Sequence, residues 1–212
     1  MRPFVIASLL LEAAFHHAIA QSVPVVHEFR YQVLVTLPRV HGFAGTLIVE
    51  EHVATDDLAP TEQIQGLGVI SPLFHRMSLA SEIRQVVSRG AVEHRYVQTM
   101  NSITSLVAGF EIRNRARIEV RDIATTWSHR YVDRATLGHD VDLVGRSLFP
   151  YVQSNLSYDS RYSMINRIET SIGVRVPITS GTSVDSYVTR SSDVKRSPLL
   201  LVAGGVIMRV AL

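Results

Sequence analysis

The chain of 212 residues contains no cysteine. In an exported protein this absence excludes disulfide bridges and thiolate chemistry, and it suits passage through an oxidising periplasm. Long hydrophobic runs are also lacking, apart from one near the start that is too short to cross a bilayer, which takes about 20 residues. Basic residues exceed acidic ones by only two, 21 against 19, without forming a basic cluster. The sequence therefore gives no indication of nucleic-acid binding.

The first 20 residues have the order of a secretion signal. Arg2 is followed by an apolar stretch over residues 4–11, and the segment ends in small residues with Ala18-Ile19-Ala20. Glu12 interrupts the apolar stretch, and a buried N-terminal helix is the alternative. We predict a signal peptide over 1–20, followed by a single domain over 21–212.

Charged residues alternate with uncharged ones along residues 112–121. A period of two places the two sets on opposite faces of a β-strand, whereas a helix would scatter the charges around its circumference. One face of this strand is therefore charged, and the other contacts apolar surroundings. The charged positions are Arg113, Arg115, Arg117, Glu119 and Arg121.

The same strand-like pattern recurs in eleven segments, most of them longer than the mean soluble strand of about five or six residues. Their lengths approach the ~9–11 residues that a tilted membrane strand requires, and the connections leave no room for a plug domain. The segments lie near 28–37, 43–53, 62–71, 77–87, 94–106, 111–122, 127–138, 147–158, 164–177, 182–190 and 198–212.

These segments predict an all-β fold, a single antiparallel up-and-down transmembrane β-barrel. Bacterial single-chain barrels have an even number of strands, so we expect about twelve, with ten as the alternative. A twelfth strand would draw on residues 23–26, whereas ten would mean that a weak segment, 62–71 or 182–190, does not span.

The end of the chain has the pattern of a lipid-facing last strand. Apolar residues and one glycine share a single parity there, although an edge strand of a soluble β-protein would look similar. Such an ending looks like the signal by which outer-membrane barrels engage the barrel-assembly machinery, except that the usual last residue is aromatic. The positions are Leu200, Val202, Gly204, Val206, Met208, Val210 and Leu212.

Several motifs in the second half of the chain together resemble a known family. They are Glu111-Ile-Arg-Asn-Arg-Ala-Arg-Ile-Glu-Val-Arg, Trp127-Ser-His-Arg-Tyr, Leu148-Phe-Pro-Tyr-Val, Tyr158-Asp-Ser-Arg-Tyr-Ser-Met-Ile-Asn-Arg and Gly173-Val-Arg-Val-Pro. Their order resembles the bacterial outer-membrane barrels of domain-of-unknown-function family 2490. The likeness covers 109–212, and earlier only Glu93-His94-Arg95 and the strand rhythm. It implies a barrel and a bacterial outer-membrane location, but no activity.

The charged strand indicates a polar interior. Pairing 111–121 with 128–138 around a turn near 124–125 predicts that Glu119 faces Arg130 and Arg115 faces Arg134. Directly opposed like charges destabilise a sheet, so Glu169, Glu82 or bound anions would have to balance Arg115 and Arg134. The predicted lumen-lining residues are Arg113, Arg115, Arg117, Glu119, Arg121, Arg130, Arg134, Arg167 and Glu169.

Two interpretations of this interior remain open. In one, the barrel is a narrow, porin-like pore that prefers anions or takes a small solute. In the other, an Arg–Glu network fills the interior and conducts nothing, because the interiors of small barrels are often filled by side chains. In either case we expect a protein that is not an enzyme, has no cofactor, and contacts outer-membrane lipid and lipopolysaccharide.

The histidine-containing motifs favour an aromatic girdle over a catalytic or metal site. His94-Arg95-Tyr96 and His129-Arg130-Tyr131 suit an aromatic girdle with Trp127, Tyr158 and Tyr162, and the nine histidines show no metal-ligand spacing. A hydrolase at the outer rim is the alternative, acting through His52, Asp56, Asp57 and His94.

Another alternative is a soluble periplasmic barrel with its apolar face inward, binding a small apolar ligand. The alternation along the strands is the same in such a barrel.

Overall fold

The computed structural model describes residues 25–56, 59–74, 76–88, 90–123, 126–143, 145–193 and 199–212. The predicted signal peptide and the turn at 124–125 lie outside these residues. Among the described residues, no helix has both the length and the apolar character of a membrane-spanning helix.

Strands make up almost all of the described chain, and each long one corresponds to a segment with period-two alternation. The remaining element is a single 3-10 turn at Val107–Gly109. The strands are β1 (Val25–Thr36), β2 (Ala44–Ala54), β3 (Pro60–Phe74), β4 (Met77–Ser88), β5 (Ala91–Ser105), β6 (Phe110–Ile123), β7 (Thr126–His139), β8 (Val141–Leu143), β9 (Arg146–Asp159), β10 (Met164–Pro177), β11 (Thr182–Asp193) and β12 (Leu199–Ala211).

Eleven of these twelve strands close into one barrel. Each pairs with its neighbours in chain order, β7 pairs with β9, and β12 pairs back with β1. The three-residue β8 lies outside the wall and only pairs with the start of β9. The predicted all-β barrel is thus confirmed, but its wall has eleven of the described strands, against the expected twelve and the alternative of ten.

The wall departs from the even, fully antiparallel closure that we expected. All eleven predicted segments are wall strands, including the weak ones, which are β3 and β11. When an odd number of strands runs up and down, the first and last must point the same way. The seam between β1 and β12 is accordingly parallel, from Val25 opposite Leu200 to Thr36 opposite Ala211. Residues 25 and 26 extend β1 and do not form a separate strand.

The barrel has two ends, which we call the upper and lower rims. The upper rim is the end at which β1 begins and β9 finishes with Asp159. The lower rim is the end at which β10 finishes with Pro177 and β12 with Ala211. Because the seam is parallel, the start of β1 and the end of β12 lie at opposite rims.

The two faces of the wall differ sharply in chemistry. On β6, Ile118 faces outward with 47% of its surface exposed, whereas the adjacent Glu119 is 0% exposed. The same contrast holds for Val188 outside and Asp185 inside on β11. Large apolar side chains cover the outside and charged ones are buried inside, which reverses the usual distribution in a soluble protein. The alternative with an apolar interior is therefore wrong about which face points inward.

Large aromatic side chains lie against glycines on the inner wall of the lower half. Phe149 covers Gly138, Tyr151 covers Gly173, and Tyr187 covers Gly205, each on an adjacent strand. A Cβ on Gly173 would come within 2.6 Å of the Tyr151 ring. The glycines thus make room for rings to lie along the wall.

Candidate functional site in the barrel interior

Near the upper rim, charged side chains from three strands form a connected network. Arg121 on β6 donates to Glu93 on β5, with Nη2 2.7 Å from Oε2, and to Asp159 on β9, with Nη1 2.9 Å from Oδ2. Arg95 donates to the same Glu93 at 2.7 Å, and Arg161 reaches Asp159 at 2.7 Å. These bonds tie the upper ends of the strands together across the inner face.

Glu119 is the most deeply buried charge of β6. Its Oε1 lies 2.9 Å from Nε of Arg117, and its Oε2 lies 3.7 Å from Nη1 of Arg130. Arg130 stands directly opposite Glu119 on β7, which is the predicted pairing. One carboxylate thus offsets the charges of two guanidinium groups.

A second network begins on the first two strands. His52 contacts Glu28 at 3.1 Å through Nδ1 and Glu50 at 2.7 Å through Nε2. Arg30 pairs with Glu28 at 2.6 Å and extends an Nη1 to Glu169 at 3.5 Å. Strands β11 and β12 separate β1 from β10 in the wall, so this last pair crosses part of the interior.

Arg115 and Arg134 face each other on β6 and β7, as the sequence predicts. Neither has a carboxylate at ion-pair distance among the described residues. Arg134 donates from Nε to Asn155 at 2.7 Å, and Asn155 in turn donates to Glu169 at 3.2 Å. Glu82, the other predicted counter-charge, pairs with Arg84, with Nε 2.7 Å from Oε2. The opposed pair is therefore balanced only indirectly.

The other described arginines that face the lumen in the lower half do have acidic partners. Arg175 and Arg209 share Asp185, each at 2.7 Å. Arg113 pairs with Glu111, and its guanidinium lies 4.4 Å from the centre of the Phe149 ring.

Of the remaining predicted lumen residues, Arg167 lies 3.6 Å from Asp193 and is more exposed than the others. Part of the interior was not predicted from the sequence. The residues concerned include Glu28, Arg30, Glu50, His52, Tyr151, Arg175, Asp185, Tyr187 and Arg209. Parity along each strand was the available signal, because the outward Phe29 and Tyr31 flank the inward Arg30.

The residues of the alternative hydrolase site do not come together. His52 points into the interior between Glu28 and Glu50, whereas His94 alternates with the buried Glu93 and Arg95 and faces outward. Asp56 is exposed in the turn after β2, and Asp57 lies outside the described residues. The predicted rim hydrolase is wrong in this respect, because the wall separates its histidines.

The aromatic residues of the predicted girdle line the outer face near the upper rim. Tyr96 stacks with Trp127 at a centroid distance of 6.4 Å, and Tyr131 lies 5.9 Å from Tyr158. Tyr162 lies in the turn after β9, beneath the guanidinium of Arg161. In the part of the chain that the structure describes, no group of three or more histidine, aspartate or glutamate residues could hold a metal ion.

No protein-family model matches the chain, so the resemblance to family 2490 stays a prediction. No curated protein matches it either. Among solved structures, it is similar to the crystal structure of the β domain of the Bordetella autotransporter Brka, with 12% identity and a TM-score of 0.46. That match covers 73% of this chain and 79% of the other. Such a distant likeness carries no functional argument.

Proposed function

We propose that this protein is an integral outer-membrane β-barrel that acts as a narrow, charge-lined pore for small solutes. The observation that carries the proposal is the reversed distribution of side chains, with an apolar outer wall around a charged interior. Lipid solvates an apolar wall well, and a closed barrel leaves no backbone edge unpaired in hydrocarbon. The wall strands, 11 to 15 residues long, meet the ~9–11 residues that a tilted span requires.

We further propose the orientation and the partners. The aromatic cluster near the upper rim fits the interfacial girdle of such barrels, so we assign the upper rim to the cell exterior, where it meets lipopolysaccharide. Export would use the predicted signal peptide over 1–20, and the barrel-assembly machinery would engage β12. Membership of family 2490 is part of the same proposal.

A structural barrel without conduction is the second candidate. The ion pair between Arg30 and Glu169 favours it, because that pair crosses part of the interior and would narrow any passage. Neither candidate needs a cofactor or a catalytic group.

Fractionation of cells followed by planar-bilayer recording tests the proposal. We expect the protein to resist carbonate extraction, to need detergent, and to change its gel migration on boiling, because a closed barrel has no free edge. Purified protein should then give small, ion-selective conductance steps. Recovery in a soluble fraction would refute the membrane location, whereas a membrane barrel without conductance would leave the structural candidate.

A further inference from the structure

We infer that the lower half of the lumen holds a binding site for one small oxoanion, of the phosphate or carboxylate class, between Arg115 and Arg134. The inference rests on the proposed function in one respect, since the lumen must admit the anion.

The first observation is the opposition of two cations. Arg115 and Arg134 occupy facing positions on neighbouring strands and point to the same interior. Arg117 lies two positions along the same face of β6 and adds a third cation nearby. Like charges placed in this way repel each other, and partial removal from water adds to the cost.

The second observation concerns hydrogen bonds. Nε of Arg115 is buried and has no hydrogen-bond partner among the described residues. On the adjacent β5, the hydroxyl of Thr99 is also buried without a partner in the described chain. Thr99 stands opposite Arg117 and one inward position away from Asn101, the partner of Arg115. Both groups can donate, so an acceptor with several oxygens would satisfy them together.

The third observation is the contrast with neighbouring arginines. Arg113 lies two positions along the same face of β6 and pairs with Glu111, and Arg175 pairs with Asp185. Among the described residues, the fold thus supplies carboxylates to the other lumen-facing arginines of the lower half and none at ion-pair distance to this pair. Planar guanidinium groups bind carboxylate and phosphate oxygens through paired N–H donors, which suits an oxoanion better than chloride.

Calorimetric titration of the folded barrel in detergent tests the site without requiring conduction. Inorganic phosphate and acetate are titrated at constant ionic strength, with chloride as the reference anion. We expect saturable binding near one anion per barrel. Arg115→Gln and Arg134→Gln should each weaken it by about 10- to 100-fold, since each removes a charge-assisted hydrogen bond. The matched control Arg113→Gln should change the affinity by less than about threefold, because Arg113 already has its own carboxylate.

A stability measurement covers variants that fold poorly. Phosphate is excluded from protein surfaces and raises urea midpoints over chloride even without a site, so the increase is compared between variants. It should be larger for the wild-type barrel and for Arg113→Gln than for Arg115→Gln, because a ligand that binds only the folded state adds to its stability. Equal increases in all three, or equal weakening of binding by Arg113→Gln, would overturn the site. Failure of the anion site can also be distinguished from failure of the proposed pore function. Binding without conductance refutes only the pore, and conductance without binding refutes only the anion site.

Discussion

The ring of Tyr187 on β11 lies so close over Gly205 on β12 that a Cβ at this position would overlap its Cζ and Oη atoms. The two residues stand directly opposite each other in the sheet. Tyr151 over Gly173 repeats the arrangement between β9 and β10. In both cases a glycine without a side chain allows a large ring to lie along the inner wall instead of across the lumen.

This packing predicts that Gly205→Ala destabilises the barrel by about 1–3 kcal/mol, the usual cost of overpacking. The adjacent glycine provides a matched control. Gly204 faces outward, where a Cβ would meet only Phe29 at an ordinary 3.8 Å. Gly204→Ala should therefore be neutral or slightly stabilising. Urea titration after refolding into lipid measures both, and equal effects of the two substitutions would contradict the assigned faces.

Glu119→Gln should destabilise the barrel strongly, by about 3–5 kcal/mol, because it leaves Arg117 and Arg130 without their shared carboxylate in a buried setting. Glu111→Gln is the control on the same strand and face. Within the described chain Glu111 pairs with Arg113 alone, near the lower rim, and both side chains are more exposed. Its loss should cost less than about 1 kcal/mol. Arg117→Ala should also cost less than Glu119→Gln, since Arg130 remains to offset Glu119.

Ile118→Arg should cost about 2–4 kcal/mol in lipid, because it places a cation on the outer face near the middle of β6. Val40→Arg offers a comparison outside the long strands, where an apolar residue is 65% exposed at the lower rim. Close to the interface the same cation should cost about 0–1 kcal/mol. If Ile118→Arg were harmless while Arg117→Ala abolished folding, lipid would not contact this face.

Replacing Asp133 with an apolar residue should make the barrel more stable in lipid. This carboxylate faces outward near the middle of β7, opposite Ala116 on β6 and Leu156 on β9. It borders a groove lined mainly by apolar side chains such as Ile118 and Ile165. Asp133→Leu should stabilise the barrel in lipid by no more than the ~2–4 kcal/mol that a basic residue costs at the midplane. The control Asp56→Leu, in an exposed turn, should not stabilise the barrel. A loss of stability on Asp133→Leu in bilayers would argue for a polar partner at this groove.

The sequence predicted the parts of the fold that depend on local alternation. The opposition of Glu119 and Arg130 follows from two adjacent strands with a short turn, and the structure confirms it. Contacts across the interior, such as Arg30 with Glu169, depend on how the whole sheet closes. No local pattern encodes that closure. The placement of His52 and His94 on opposite faces of the wall could have been predicted. His52 shares the parity of Glu50, whereas His94 alternates with Glu93 and Arg95.

The odd number of wall strands was not predicted either, because it too depends on how the whole sheet closes. Eleven segments were visible in the sequence, but the rule of even numbers favoured adding or removing one. Neither adjustment was needed, since the first and last strands can pair in parallel. The pairs of glycine and aromatic residues also escaped prediction, because they require the register between strands as well as the parity within each one.

The parallel seam has a consequence for the order of folding. The antiparallel pairs join strands that are close in the chain, so they can form as soon as two neighbours meet. Val25, in contrast, pairs with Leu200, 175 positions further along (200 − 25). Closing so long a loop costs more entropy and makes this pairing the slowest. Until it forms, β1 and β12 both present open edges, and we expect this unclosed sheet to be the species that misassembles with other chains.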